Sequence, residues 1–299
     1  MYMPTNTHIL AAEFDYERPA TLKDALALLG RHAGEARLVA GGTDLFVQMK
    51  MEQRSPTLVV SLASLSELRG ISQTNGLTIG ALTTIREIGA SDIVRNQYAA
   101  LREAAHSFST VQIMSMGTLG GNLCNASPAA DMAPALLAFD ASVNLASSGG
   151  SRKVGLGDFF IGPGKTVLAK GEVMRSVELP QPEAGTASAF FKISRVVADI
   201  SKISAAVRLV RSGNKVTGCR IALGAAAPVP QRIERAEQSL TGAAGSAEAF
   251  ERAAAIAAED ISPISDVRAS QSYRRHAARV IVRDALTAAW QRAAKGNGK

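Results

Sequence analysis

The feature that most restricts this chain is a pair of adjacent glycines placed where an apolar run stops. Arg37–Leu38–Val39–Ala40 reads as a buried strand. It runs straight into Gly41–Gly42–Thr43–Asp44, after which Leu45–Phe46–Val47–Gln48–Met49–Lys50 takes up a helical pattern. Glycine lacks a Cβ and tolerates positive φ, so the backbone there can turn tightly and lie close to another group. A strand end, two glycines, a hydroxyl and a helix start can together hold an anion, because backbone N–H groups and the helix dipole converge on it. Residues 117–122 offer a second such turn, in Thr118–Leu119–Gly120–Gly121–Asn122. Glycine pairs at strand ends are more often plain turns. Neither segment is a GxGxxG fingerprint with an acid about twenty residues on, and there is no Walker lysine motif. Residues alone therefore yield two candidate phosphate cradles, of the kind a dinucleotide's pyrophosphate needs.

The surrounding pattern is mixed α and β. Thr21 with Asp24 resembles a capping box; Leu22, Ala25, Leu26 and Leu29 follow at helical spacing, with Gly30 placed to stop the helix. Strands are expected over 57–62 and 77–82, and helices over 84–90, 99–107 and 131–139. A hairpin follows with 147–150 at its tip, then a linker punctuated by Pro180 and Pro182. Beyond it, 189–193, 203–210 and 216–225 read as strands, the last two joined by Ser212–Gly213–Asn214. The remainder reads as helices over 231–240, 247–258 and 270–294.

Bulk properties narrow the function. With 299 residues the chain should form two or three compact units. Its net charge of +7 is spread along the sequence, with one Trp and no basic run interleaved with aromatics, which argues against nucleic acid and suits an acidic partner or plain solvation. Only two cysteines exist, Cys124 and Cys219, so there is no zinc spacing, no four-thiolate iron–sulfur set and no disulfide framework, as suits a reducing cytoplasm. The start, MYMPTNTHILAAEFDYERP, carries no signal-peptide pattern, and no run reaches the roughly 18 apolar residues of a membrane span. A soluble, unexported chain is expected. The four histidines, His8, His32, His106 and His276, are scattered and read as surface or ordinary core residues, not metal ligands.

The two glycine segments in order, AGGTDL and about eighty residues later GTLGGNLCNASPAADMAPALLAFDA, resemble the flavoprotein subunit of the xanthine dehydrogenase and carbon monoxide dehydrogenase family of molybdenum hydroxylases. The resemblance extends over nearly the whole chain, including Asp158–Phe159–Phe160 and Phe191–Lys192–Ile193–Ser194–Arg195. It implies an α+β fold: a two-part FAD-binding domain of the vanillyl-alcohol-oxidase type, over residues 1–57 and 58–182, and a C-terminal domain over 186–292 with a three-stranded sheet and helices. It also implies non-covalent FAD. Leu38, Val39, Ala40, Gly41, Gly42, Thr43, Asp44 and Leu45 would wrap the pyrophosphate and reach the flavin. Thr118, Leu119, Gly120, Gly121 and Asn122 would close from the other side. Phe108 matches an aromatic near the cofactor, Asp131 an acid holding a ribose or adenine-side hydroxyl, and Met174 a lining residue. Lys192 matches a lysine whose charge would stabilise reduced anionic flavin.

Each of these single residues also has an ordinary reading. Phe108 and Met174 are of types that usually pack in cores, Asp131 is placed to cap a helix, and Lys192 could be solvated. The family's cysteine-rich insertion for an extra cluster, found in members resembling 4-hydroxybenzoyl-CoA reductase, is missing. After the Ser–Arg pair this chain has a single acid, Asp199, where NAD-using members are rich in charge, which counts against NAD as the acceptor.

The expected role is an FAD-carrying electron-transfer subunit. It would take electrons from a small [2Fe–2S] subunit and deliver them to an external acceptor, while a large subunit holds the molybdopterin; the assembly would be a heterotrimer or a dimer of heterotrimers. A self-contained FAD oxidoreductase of the same fold is the first rival, and a non-enzymatic nucleotide-binding or nucleic-acid-binding module the second. No catalytic acid, base or nucleophile, and no metal ligand, is assigned to this chain.

Overall fold

The computed structural model describes residue 10, residues 12–32 and residues 34–295; most of the amino-terminal segment read above, His8 included, lies outside them. The first sheet is parallel, with strands β1 (Asp15–Glu17), β2 (Ala36–Val39) and β3 (Leu58–Ser61) in the order β1-β3-β2. Between β1 and β2 runs helix α1 (Leu22–Arg31). The Thr21 hydroxyl accepts the Asp24 N–H at its start, and Leu22, Ala25, Leu26 and Leu29 are its buried face. Gly30 does not stop it: the glycine is exposed, and the His32 N–H still donates to the Leu28 carbonyl, so the last turn closes one residue later. Helix α2 (Leu45–Lys50) follows β2 and carries the chain toward β3.

The second sheet has five strands. They are β4 (Ile71–Gln73), β5 (Leu77–Gly80), the hairpin β6 (Ser142–Ser147) and β7 (Gly150–Gly155), and, beyond the small pair β8 (Phe160–Gly162) and β9 (Lys165–Thr166), β10 (Val173–Leu179). Their order is β4-β5-β10-β6-β7, antiparallel throughout. Six helices bridge β5 to β6: α3 (Ile85–Ala90), α4 (Asp92–Gln97), α5 (Ala99–His106), α6 (Val111–Met116), α7 (Leu119–Asn125) and α8 (Met132–Ala138). A short α9 (Leu156–Phe159) follows β7. The segment expected as a second glycine turn is instead the first turn of α7. The Thr118 hydroxyl caps that helix by accepting the Gly121 N–H, so Gly120 and Gly121 are helical.

The third sheet is antiparallel, β11 (Thr186–Ile193), β12 (Ile203–Ser212), β13 (Lys215–Gly224) and β14 (Gln231–Arg232), backed by α10 (Glu234–Leu240), α11 (Ala247–Asp260) and α12 (Gln271–Lys295). It has four strands where three were expected. Gln231 and Arg232, expected as the start of a helix, pair with Leu223 and Ala222, and the Ile233 N–H donates to the Ile221 carbonyl. Sheet pairing at an open edge thus overrides the helical pattern until Glu234.

Helix α8 joins the second and third sheets. Every residue from Met132 to Ala138 is buried, against β12 and β13 on one side and α5 on another. Just past it Asp140 adopts a left-handed backbone (φ 51°) and receives Arg208, Arg220 and Arg232 at 3.0, 3.1 and 2.8 Å. No helix among the described residues is long and apolar enough to cross a membrane.

Leu136 is fully buried on α8. Leu136→Ala is expected to destabilise the chain by about 2–5 kcal/mol, since the packed surroundings cannot collapse into the space. In urea unfolding the midpoint should fall with no change in slope; an unaltered midpoint would refute the placement of α8 as a shared core element.

Candidate functional site

Strand β2 delivers residues 40–44 to one side of a cleft, and the segment between α6 and α7 forms the other. The glycines are needed because these two segments touch. A Cβ on Gly41 would fall far inside van der Waals contact distance of the Met116 carbonyl oxygen, so main chain meets main chain there. Gly42 has φ +71°, and a Cβ on it would sit 2.6 Å from the Phe46 ring. Gly120 packs on strand β5's exit, where a Cβ would lie 2.8 Å from that of Ala81. Between the segments lies a cleft of about 280 Å³.

The two glycine segments differ in what they can offer. In α7 the Leu119 N–H donates to the Thr83 carbonyl, Gly120 to the Ala81 carbonyl and Gly121 to the Thr118 hydroxyl. Those donors are already used. By contrast, the amides of Gly41, Gly42, Thr43, Asp44 and Leu45 meet no protein acceptor among the described residues, and α2 starts without a side-chain cap. Consecutive free N–H groups around a positive-φ glycine make a concave nest for an anion. On the facing wall, the Asn122 side-chain oxygen is buried with no hydrogen-bond partner. The rest of the lining is largely apolar, with Leu62, Ala81, Leu82, Phe108, Val173 and Met174.

Of the residues expected at a site, Leu38, Val39, Ala40, Gly41, Gly42, Thr43, Asp44 and Leu45 all line the cleft, as do Phe108, Thr118, Gly120, Gly121, Asn122 and Met174. The structure does not bring Leu119, Asp131 and Lys192 to the lining. Leu119 is fully buried in the core behind it. Asp131 and Lys192 form an ion pair at 2.7 Å with side chains 7% and 3% exposed. The Lys192 ammonium also donates to the Ser107 carbonyl at 2.9 Å, next to cleft-lining Phe108. Asp131 stands at the start of α8 yet makes no side-chain cap. Burial drives its carboxyl up to about 6 despite the attraction of Lys192, and its Oδ1 is left without a partner.

Sequence reasoning missed a polar relay along the cleft wall. Arg54 Nε donates to Gln48 Oε1 (2.7 Å), Gln48 Nε2 to Asn125 Oδ1 (3.0 Å) and Asn125 Nδ2 to Asp44 Oδ1 (3.1 Å). Burial raises the Asp44 carboxyl. The one signal in the sequence was spacing: Gln48 is one helical turn from Asp44, and Asn125 three residues from Asn122. Cys124 also lines the cleft, but burial pushes its thiol up to about 12, so it is protonated and unreactive at neutral pH. His32, His106 and His276 are exposed and away from the lining. Among the described residues no group of three or more His, Cys, Asp and Glu could hold a metal ion.

Comparison with known proteins places this geometry beside that of related chains. Residues 12–182 match the family model described as the FAD binding domain in molybdopterin dehydrogenase, and residues 188–289 that of the CO dehydrogenase flavoprotein C-terminal domain. The chain is 33% identical to the carbon monoxide dehydrogenase medium chain of Hydrogenophaga pseudoflava over 96% of its length and 100% of the relative's. It is 34% identical to the xanthine dehydrogenase FAD-binding subunit of Escherichia coli, covering 92% and 95%. The solved structure of carbon monoxide dehydrogenase from Hydrogenophaga pseudoflava superposes with a TM-score of 0.92 at 34% identity, covering 95% of this chain and 99% of that one.

Gly41→Ala should disturb the site more than Gly121→Ala. The first forces apart two backbones, an overpacking cost of about 1–3 kcal/mol; the second displaces only the Thr118 hydroxyl, about 1 kcal/mol for a weakened cap. Equal thermal stability of the two variants would contradict the main-chain contact. The buried pair makes a separate prediction. A carboxyl held near 6 when folded keeps its proton to higher pH than the same group unfolded, so its contribution to stability is lost as pH rises from about 4 to about 6. The double variant Asp131→Asn, Lys192→Met should lack that slope; identical pH–stability curves for it and the wild type would refute the burial.

Proposed function

The chain belongs to the family of FAD-binding subunits of molybdopterin dehydrogenases, and from that premise we propose how it holds its cofactor and what it does for the enzyme. One observation carries the reading: five consecutive amides without acceptors, in the 41–45 loop, face a wall with an unpartnered buried side-chain oxygen. The five amides are the donor set a pyrophosphate needs, the Asn122 side-chain amide can add its N–H on the facing wall, and the apolar surface beside them suits the rings at either end.

Residues 38–45 hold the pyrophosphate through main-chain N–H groups. Thr118, Gly120, Gly121 and Asn122 form the facing wall, by shape and by the Asn122 amide rather than by backbone donors. Phe108 and Met174 supply apolar contact. Leu119 acts from the core, as the anchor that keeps this wall in place. Asp131 and Lys192 act as a buried charged pair behind the Phe108 end, tuning the field there rather than touching the pyrophosphate. When bound, FAD supplies redox chemistry that couples one-electron and two-electron partners; the protein binds it, orients it and excludes water. No residue of this chain is assigned a proton-transfer or nucleophilic role.

In the assembled enzyme this subunit takes electrons from a [2Fe–2S] subunit and passes them to an external acceptor, while a large subunit carries the molybdopterin. A heterotrimer or its dimer is the proposed assembly, and the cytoplasm the proposed compartment, which the free thiols of Cys124 and Cys219 suit. The chain divides as residues 1–57 and 58–182, which share the FAD, and 186–292, a reading supported by the separate sheets.

The purified chain should carry about one FAD, released in full by acid precipitation. Colour left in the pellet would mean a covalent link, and a colourless native protein would remove the assignment. Alone, the chain should fail to oxidise any organic substrate that the complex oxidises. Turnover by the lone chain, with molybdenum and iron shown absent, would mean that it is a self-contained flavoenzyme.

A further inference from the structure

The two sides of the cleft are fastened differently at their two ends. At one end Gly41 lies against the Met116 carbonyl, main chain on main chain, with no side chain between. At the other end the link is made by side chains. Among the described residues, the hydrogen bonds that cross from 41–54 to 117–125 both end on Asn125, one from Gln48 and one to Asp44. The direction of this relay is fixed by its ends. Arg54 can only donate, and Asp44 Oδ1 accepts at the far end. The two amides between them are therefore oriented without ambiguity: Gln48 accepts at Oε1 and donates from Nε2, and Asn125 accepts at Oδ1 and donates from Nδ2. All four side chains line the cleft.

We propose that Asn125 is the clasp of the cofactor cleft: it ties α7 to α2 across the opening and sets how long a bound FAD stays. The inference rests on the FAD reading of the cleft and extends it to residues that reading does not assign, Asn125, Gln48 and Arg54. The Gly41 contact is a fixed edge, because separating it would break close main-chain packing. The Asn125 end opens by breaking two part-exposed side-chain hydrogen bonds, so the cofactor enters and leaves there. Asn125 is a positioning residue: it acts by holding Asp44 and the amide-bearing loop against the α7 wall.

The test is a double-mutant cycle read as the rate at which flavin leaves the protein on repeated ultrafiltration. Asn125→Asp sets a second carboxylate beside Asp44 and should speed release about tenfold, the effect of losing a charge-assisted hydrogen bond. Asp44→Asn should also speed it. In the double variant Asp44→Asn, Asn125→Asp the carboxylate at 125 accepts from both neighbouring amides, so the relay is rebuilt and release should return to within about threefold of wild type, a strong coupling between contacting sites. A purely structural or purely ligand-contacting role would not produce that rescue. Wild-type release from Asn125→Asp would overturn the clasp, and so would a double variant whose rate is the product of the two single effects. If Asn125→Asp does not fold, Gln48→Leu decides: faster release at an unchanged unfolding temperature supports the clasp, and an unchanged rate overturns it. A wild-type chain that retains no flavin would instead overturn the reading of the cleft, and the clasp with it.

Discussion

The contact between the α-carbon of Gly41 and the Met116 carbonyl is the constraint on which the site depends. It brings a loop from the parallel sheet against a loop from the antiparallel one with no side chain between, and so fixes the narrow edge of the cleft. Everything else in the cleft follows from that approach. Gly42 turns the chain at positive φ, and the amides of the cleft-lining residues 41–45 are left without a protein acceptor among the described residues. On the opposite side, Thr118 and the carbonyls of Ala81 and Thr83 take up the amides of α7. The result is a one-sided donor set: a loop rich in free N–H groups faces a wall that supplies shape.

That asymmetry bears on how glycine-rich segments are interpreted. Both segments were expected to use their glycines to let backbone approach a phosphate. In the structure each glycine answers a protein neighbour: Met116 for Gly41, Phe46 for Gly42, Ala81 for Gly120 and the Thr118 hydroxyl for Gly121. The free amides are then a consequence of how the segments pack, and packing against protein neighbours is the direct reason for the missing Cβ atoms. The buried Asp131–Lys192 pair shows the same principle at longer range. A charged pair taken out of water is costly unless its geometry is good, and here the lysine on β11 meets both the acid and the Ser107 carbonyl, so the third sheet is tied to the end of the cleft at Phe108.

Much of the architecture was legible in the sequence because the signals are local. Thr21 and Asp24 opened α1 and the spacing of Leu22, Ala25, Leu26 and Leu29 fixed its buried face; the same holds for α2 after the Gly41–Gly42 turn and for the β6–β7 hairpin. Where local signals competed with pairing, pairing won. Gln231 and Arg232 had helical spacing but lay beside the free edge of β13, whose hydrogen-bonding groups outweighed a weak propensity. Helices α4 and α6 bury one side chain and none, so with no glycine turn before them they left no apolar period to be seen.

By itself the sequence determined the chemistry available to the cleft: glycines where no Cβ fits, a Thr able to cap, apolar runs that must be buried, and too few cysteines for an iron–sulfur cluster. Its resemblance to a family of flavoproteins came from two short segments in order. Only the tertiary structure decided which amides are free and which are used, since that depends on Ala81 and Thr83 meeting a helix some forty residues away. It also decided that Leu119 faces the core, that Asp131 and Lys192 close on each other, and that Asn125 reaches Asp44 and Gln48 across about eighty residues of chain. Hydrogen bonds and ion pairs are made between neighbours in space, and a linear pattern of residue types carries no record of which distant groups the packing of three sheets will make neighbours.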